Sequence, residues 1–412
     1  MFLQSFFALS LALPTLSSAA KIYATHYDGN VYFLDTSGDS NNLELKKAVS
    51  LTACGGTQGS PSSLNADPAR GLLWCTGEGT PGVLAALEVQ QNGELKEMFK
   101  TETLGGGVNS ALFGKDNQFL AIAHYGAAAI SVYKVPFTNN ETAKPVQVVN
   151  FPKLANATDK EGVSKPHQVF LDPTSKFLLS PDLGLNKVHV FKIDQDSGNL
   201  DICENSAIHF APGSGPRYGV FVKTNLGQHK RQIRGLHREW QTKRQGDSSF
   251  LYTVNERNGR LCKFSVSYPN NACPVFTEVD CFVPYPGEKL PNENATLAQV
   301  HAAGSTLHIS VRKDHKFKQA DSLVTLDLTR NVTRGSVTDD NLFSSGGLTP
   351  RSFVINKAGD LVAVANQDSS TVVIIKRDPQ TGKLQKELTS QVVGQVPEEG
   401  KWGGLSSIVW YE

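Results

Sequence analysis

The 412-residue chain is nearly devoid of methionine, with 2, and of net charge, since 40 lysines and arginines oppose 39 aspartates and glutamates. A balanced chain offers no global attraction to nucleic acid or to an anionic membrane surface, so neither is expected as a partner. No C-x-x-C occurs, which argues against a zinc ribbon or a thioredoxin-like redox site. No G-x-S-x-G occurs either, which argues against the serine mechanism of the α/β-hydrolases. Beyond the first twenty residues no apolar run approaches the roughly 18 residues of a membrane span. Long helix-forming runs are also missing. GEGTPG (77–82) fits the dinucleotide fingerprint by letter, but it leads into the strand-like VLAALEV and a hairpin, not a βαβ unit. DQDSGN (194–199) lacks the closing glutamate of a calcium loop and reads as a turn. No cofactor and no metal are therefore expected.

What remains is an all-β composition. Val, Phe, Leu and Thr occur in short runs broken by Gly (36 in all), Asn, Asp and Pro. The opening MFLQSFFALSLALPTLSSAA reads as a secretory signal over residues 1–20. Its apolar run FFALSLAL is too short to span a bilayer, and Ser18 and Ala20 supply small residues before a cut. The mature chain is then expected to begin at Lys21 and to be extracellular. Six cysteines, an even number, suit disulfides in an oxidising compartment, with 15 connectivities open. Four sequons, at Asn140, Asn156, Asn294 and Asn331, stand in loop-like contexts and mark candidate glycosylation sites.

One pattern recurs along the chain. KPHQVFLDPTSKFLLSPDLG (165–184) reads as a polar approach, a β-run, a turn, a second β-run and a polar tip. The same shape appears in SPSSLNADPARGLLWCTGEG (60–79), GGVNSALFGKDNQFLAIAHYG (106–126) and TPRSFVINKAGDLVAVANQDS (349–369). GPRYGVFVKT (215–224) with FLYTVNER (250–257) is a broken copy, and AQVHAAGSTLHISVRKD (298–314) a degenerate one. The period is about 50 residues. A second hairpin with a turn glycine follows each copy, as in VHVFKIDQDSGNLDI and VVIIKRDPQTGKLQK. Two hairpins per repeat make a four-stranded antiparallel sheet. With the first unit (21–51), seven such sheets predict a seven-bladed β-propeller over residues 21–412, a single domain and a monomer. The terminal LSSIVWYE is a lone strand that closes the ring against the first blade.

In a propeller the ends of the inner hairpins converge on one mouth of the central channel. His167 and Asp182 belong there by this reading, with Glu78, His124, Arg217, Glu256, Arg312, Arg351 and Gln367 from other blades. At these residues the chain resembles the seven-bladed lactonase propellers, that is, 6-phosphogluconolactonase of the bacterial type and the fungal 3-carboxy-cis,cis-muconate cyclase. The resemblance lies in PHQVFLDPTSKFLLSPDLGLNKVHVF, GPRYGVF, FLYTVNE, the ISVR…DSLVTLDL segment and TPRSFVINKAGDLVAVANQDSSTVVI…TGKL, spanning residues 60 to 380, with a cyclase-like ending WGGLSSIVWYE. It implies a catalytic set of His167, Arg217, Glu256 and Arg312; the repeat itself places Asp182, Glu78, His124, Arg351 and Gln367 at the same mouth as expected substrate-binding residues. The resemblance implies an enzyme acting on a small lactone or carboxylate, by lactone hydrolysis or by cyclisation; a non-catalytic binding propeller is the rival of another class. Tyr218 follows Arg217 where the phosphogluconolactonase branch carries histidine. The residue types suit the chemistry. Arginine forks grip carboxylates and face developing oxyanions, histidine moves a proton near neutral pH, and Glu256 orients or pairs.

Between GVFVKT and FLYTVNE lies a basic insertion at about 225–249, with Ile233, Leu236 and Trp240 at helical spacing. Lys230-Arg231 and Lys243-Arg244 offer processing sites there, and the insertion is expected to be a surface loop that is clipped or absent in the mature protein.

Overall fold

The computed structural model describes residues 21–37, 44–137, 143–154, 157–158, 162–224, 248–270, 272–329 and 334–412. The expected signal segment, the sequons at Asn140, Asn156 and Asn331, and most of the basic insertion lie outside the described residues; Asn294 is described and exposed.

Strand position is written in the hydrophobic pattern. Strands such as Phe119–His124 (FLAIAH) and Leu361–Asn366 (LVAVAN) are almost wholly buried, because a second strand of a blade is packed on both faces by neighbouring blades. Outer strands such as Leu95–Thr103 (LKEMFKTET) alternate exposed and half-buried residues along most of their length. Four strands of graded burial form each antiparallel sheet, and seven sheets arranged in a ring form the β-propeller expected from the repeat. The fourth blade carries one extra short strand, Ile208–His209. The turn glycines Gly93, Gly198 and Gly382 take positive φ of 87°, 77° and 73°, as the outer hairpins require.

The core is a series of layers between blades. Ile22, Ala24, Tyr32 and Leu34 of the first blade, for example, meet Ala363, Ala365, Val372 and Ile374 of the seventh. Each such aliphatic side chain contributes roughly 1.5–3 kcal/mol when fully buried. The terminal strand Leu405–Tyr411 pairs antiparallel with Lys21–His26 and becomes the innermost strand of the first blade, closing the ring as expected. All six cysteines are paired. Cys54–Cys75 joins the first blade to the second, Cys203–Cys273 the fourth to the fifth, and Cys262–Cys281 links adjacent strands of the fifth.

Neighbouring inner strands share no β-ladder, so side chains bridge them. Leu64 N–H donates to Ser407 Oγ (3.4 Å), and Asn65 Nδ2 to the Ser110 carbonyl (2.7 Å). Val169 N–H donates to Asn109 Oδ1 (2.9 Å), and Gly219 N–H to Gln168 Oε1 (2.7 Å). Arg217 Nη1 donates to the Ala298 carbonyl, Phe353 N–H to Gln299 Oε1 (2.9 Å), and Trp410 Nε1 to the Val354 carbonyl (3.2 Å). Every blade-to-blade seam therefore carries at least one stitch, and the first-to-second seam a further one from Ser406 Oγ to the Pro61 carbonyl (2.7 Å). Replacing Gln168 with Leu strands the Gly219 N–H, and an unpaired donor of this kind costs about 1–3 kcal/mol. Thermal unfolding of Gln168→Leu is expected to show a midpoint a few degrees lower; an unchanged midpoint would remove the stitches from the account of ring stability.

Candidate active site

The sixth blade contributes Arg312, the last residue of its second strand, to the mouth; every other blade contributes through two backbone positions. The first is an irregularity at the start of the inner strand. The ladder to the second strand slips by one residue, leaving Ser62, Val108, Arg217, Arg351 and Ser406 as extra residues in their blades. In the fourth blade the slip falls between the Pro166–Asp182 bridge and Phe170, where His167 stands. A bulge re-aims the side chain that it inserts, and here it turns Arg217, Arg351 and His167 toward the channel. The second position is the residue just past the end of the second strand: Tyr27, Glu78, Tyr125, Glu256 and Gln367, each with its N–H bonded to the inner-strand approach.

The charged centre is Glu256 between two guanidiniums. Its Oε2 lies 2.7 Å from Arg217 Nε and 3.0 Å from Arg312 Nη2. Arg312 is held in turn by a bond from its Nε to Thr296 Oγ1 (3.1 Å). Burial alone would raise the Glu256 pKa, but Arg312 and Arg217 outweigh it and hold the carboxyl below its ordinary value. Burial, with Arg312 beside it, pulls Arg217 down to about 10 against the opposing pull of Glu256, so it stays cationic at neutral pH. A second centre lies across the mouth. Glu78 Oε2 accepts from Tyr27 Oη (2.7 Å) and Ser62 Oγ (2.8 Å), with Arg351 Nη2 at 3.9 Å. Arg351 also faces Gln367 Oε1 at 3.5 Å. Three arginines thus face two carboxylates, leaving one guanidinium charge uncompensated.

His167 stands among these cations and is 7 % exposed. Burial, then the fields of Arg217, Arg351 and Arg312, push its pKa well below 6.5, so the imidazole is neutral at physiological pH. Its ring lies between those of Tyr125 (6.0 Å) and Tyr218 (5.7 Å), and Arg217 stacks over Tyr218 at 5.2 Å. His167, Arg217, Tyr218 and Arg351 line a channel of about 520 Å³. Arg351 also lines an adjoining cleft of about 870 Å³ with Arg312, Gln367 and Trp402. It is the hinge between the two spaces.

Seven of the nine residues expected at the mouth are brought together: His167, Arg217, Glu256, Arg312, Glu78, Arg351 and Gln367. His124 and Asp182 are not. His124 has no exposed surface, bonds Ser131 Oγ at 2.7 Å within its own sheet, and is pushed by burial to a pKa of about 4. Asp182 is fully buried. Its Oδ1 accepts from the backbone N–H groups of Lys165 (2.8 Å), Gly184 (3.0 Å) and Leu185 (2.9 Å), and its Oδ2 meets Ser164 Oγ and His189 Nε2. Every lone pair is spent on holding the turn. Both residues end a second strand, as Arg312 also does, but their side chains are short enough to be taken up behind the mouth by Ser131 and by the 164–185 turn. Their successors, Tyr125 and Leu183, occupy the mouth register instead. Tyr218, marked in the sequence only as a departure from the family pattern, also faces the mouth, as do Tyr27, Tyr125 and Trp402, which the expected set lacks. Aligning the repeats one residue later would have found Tyr27 and Tyr125, but no repeat signal marks Trp402.

The Glu256 pair has a stability consequence. Its folded-state pKa is depressed, so its contribution is complete above the ordinary value of 4.5 and lost as pH falls through the lowered value. Glu256→Gln leaves two largely buried guanidiniums unbalanced, which costs about 3 kcal/mol or more. Denaturant titration is expected to show that loss at pH 7 and a shrinking gap between variant and wild type as the pH is lowered toward 3. A constant gap would mean that Glu256 is not charged in the folded protein.

Comparison with known proteins identifies the family. The model of a family described as lactonase, 7-bladed beta-propeller matches residues 21–398. A 6-phosphogluconolactonase of Formosa agariphila is 26% identical over 336 residues, covering 80% of this chain and 81% of that protein. A probable 6-phosphogluconolactonase of Arthroderma benhamiae is 23% identical over 324 residues, covering 78% and 75%. Among solved structures, the periplasmic gluconolactonase of Pseudomonas aeruginosa superposes with a TM-score of 0.71 over 96% of this chain and 99% of its own, at 20% identity. The chain belongs to the seven-bladed β-propeller lactonase family, and with it to the lactone-hydrolysing enzymes.

Proposed function

We propose that this protein hydrolyses an extracellular sugar-acid lactone at the mouth formed by His167, Arg217, Glu256, Arg312 and Arg351. One observation carries the reading: a neutral histidine is set among three arginines whose charge two carboxylates only partly balance. Lactone opening generates negative charge twice, first on the acyl oxygen of the tetrahedral intermediate and then on the product carboxylate. A preorganised guanidinium cluster in a sheltered site favours both. The names of the relatives support hydrolysis as the direction, and a sugar acid or its phosphate as the class.

The roles follow from the geometry. His167 is unprotonated at neutral pH and takes the proton of the attacking water. The water oxygen bonds to the acyl carbon, and the carbonyl oxygen becomes an oxyanion facing Arg217 and Arg312. The ring C–O bond then breaks, and the departing alkoxide receives a proton from the imidazolium. Glu256 fixes both guanidiniums at 2.7 and 3.0 Å, so they need no reorganisation when charge appears. Arg351 is left to hold the substrate's polar substituents. The complete pairing of six cysteines supports an oxidising compartment, where an unphosphorylated sugar lactone is the natural substrate.

The test is a pH-stat assay on gluconolactone, its 6-phosphate and a muconolactone. Gluconolactone turnover is expected, with a loss on the order of 100-fold in kcat for His167→Ala. Because burial and the arginines lower the His167 pKa, the base is available above that lowered value. The acid limb of kcat/KM is therefore expected below 6.5, not at it. A limb at 6.5, or full activity without His167, would reassign the base. Exclusive turnover of the phosphate would replace the substrate. For the compartment, peptide mapping of protein secreted by a fungal host is expected to place the N-terminus at Lys21; retention of residues 1–20 would count against secretion.

A further inference from the structure

Trp402 is 66 % exposed, more than any other large apolar side chain among the described residues. It projects from the segment joining the last strand of the seventh blade to the closing strand, and it forms one wall of the 870 Å³ cleft outside Arg351. The segment beneath it is fixed. Lys401 N–H closes a turn on the Glu398 carbonyl (2.9 Å), Gln367 Nε2 donates to the Gly403 carbonyl (3.0 Å), and Tyr27 N–H donates to the Gly404 carbonyl (3.0 Å). Gly404 has a φ of 79°, and a Cβ there would collide with the Gln367 carbonyl, so the anchor admits only glycine. The indole itself is also placed. Its ring centre is 4.9 Å from that of Tyr27, and the Arg351 guanidinium sits 5.4 Å from it and 5.6 Å from Tyr27. Tyr27 is locked by its bond to Glu78.

An indole held this firmly and left in water has a free apolar surface beside a cation that already faces the channel. A sugar ring matches that pair: its C–H face stacks on an aromatic plane, and its hydroxyls or acid group reach a guanidinium. We propose that Trp402 is the ring-stacking wall that positions the sugar portion of the substrate against Arg351, and so determines selection for carbohydrate-derived lactones. This inference rests on the lactonase reading of the same mouth. Trp402 touches the part of the substrate that does not react, so its contribution falls on binding and leaves the chemical step alone.

Two measurements test it. In the gluconolactone assay, Trp402→Ala is expected to raise KM about tenfold with kcat within about twofold, while Trp402→Phe keeps KM near wild type. An unchanged KM in Trp402→Ala, a drop in kcat instead, or failure of Phe to restore KM would overturn the platform while leaving lactonase activity in place. The second readout needs no turnover. Among the described residues the other tryptophans, Trp74 and Trp410, are buried, so a ligand-induced fluorescence change is expected to come from Trp402, and Trp402→Phe reports whatever Trp240 of the insertion contributes. Titration with sodium gluconate is expected to change the emission of wild type and not of Trp402→Phe. If no lactone is turned over but this change is seen and depends on Trp402, the catalytic reading fails and the stacking wall stands. If gluconate leaves the emission unchanged, or changes that of Trp402→Phe equally, the stacking wall is overturned whatever the catalytic result.

Discussion

The ring depends on seams that have no backbone ladder. Strands within a blade share the hydrogen bonds of a sheet, but adjacent inner strands converge on the channel with donors and acceptors that no neighbouring strand meets. Side chains supply the link at each seam, and at the seam between the fifth and sixth blades the linking side chain is Arg217. The same guanidinium pairs with Glu256 at 2.7 Å and borders the channel. Holding the ring together and presenting a cation to substrate are one arrangement here. A buried arginine, 1 % exposed, is costly to desolvate, and the Ala298 carbonyl and Glu256 offset that cost in the fold before any ligand arrives.

That arrangement explains the asymmetry of the mouth. The fifth, sixth and seventh blades contribute Arg217, Glu256, Arg312, Arg351 and Gln367. The third and fourth contribute Val108, Tyr125, His167 and Leu183, which are apolar or neutral. The seventh-to-first connection adds Trp402, the first blade Tyr27 and the second blade Glu78. On the proposed reading a lactone is oriented by charge on one side of this mouth and by ring contact on the other. The imidazole faces the cationic side without carrying charge of its own, because the arginines that would attract a substrate anion also suppress protonation of His167.

Most of the architecture was legible because propeller blades repeat their physics. Turn chemistry at Asp67, Lys115, Asp172 and Lys357 marks the inner hairpins. Gly93, Gly198 and Gly382 mark the outer ones, and the unpartnered LSSIVWYE announces the closure. The arginine and glutamate positions were legible for the same reason, since they sit at repeated places in the hairpins. What failed was register at single-residue resolution. His124 and Asp182 looked functional by residue type, but they end strands and point into the sheet, where Ser131 and the 164–185 turn consume them. The ladder slip that pushes Arg217 and Arg351 into the mouth leaves no mark in composition or periodicity. Nor did sequence connect Tyr27 with Glu78, since that bond crosses between blades and is created only by the curvature of the ring.

The slip itself accounts for how one scaffold carries a site without endangering its core. Every blade but the sixth devotes one bulged residue and one residue past a strand end to the mouth, while FLAIAH- and LVAVAN-type strands behind them remain packed on both faces. Exchanging Val108 for another side chain alters the channel lining and touches no ladder bond, because the bulged residue stands outside the paired register. Arg217 and Ser406 are exceptions: each lines the channel and also bonds across a seam, Arg217 to the Ala298 carbonyl and Ser406 Oγ to the Pro61 carbonyl. Substitution of Arg217 removes a cation, frees Glu256 and opens a seam together. The variable positions of the mouth are thus those whose side chains hold nothing else, and the constrained ones are those the ring has already put to structural use.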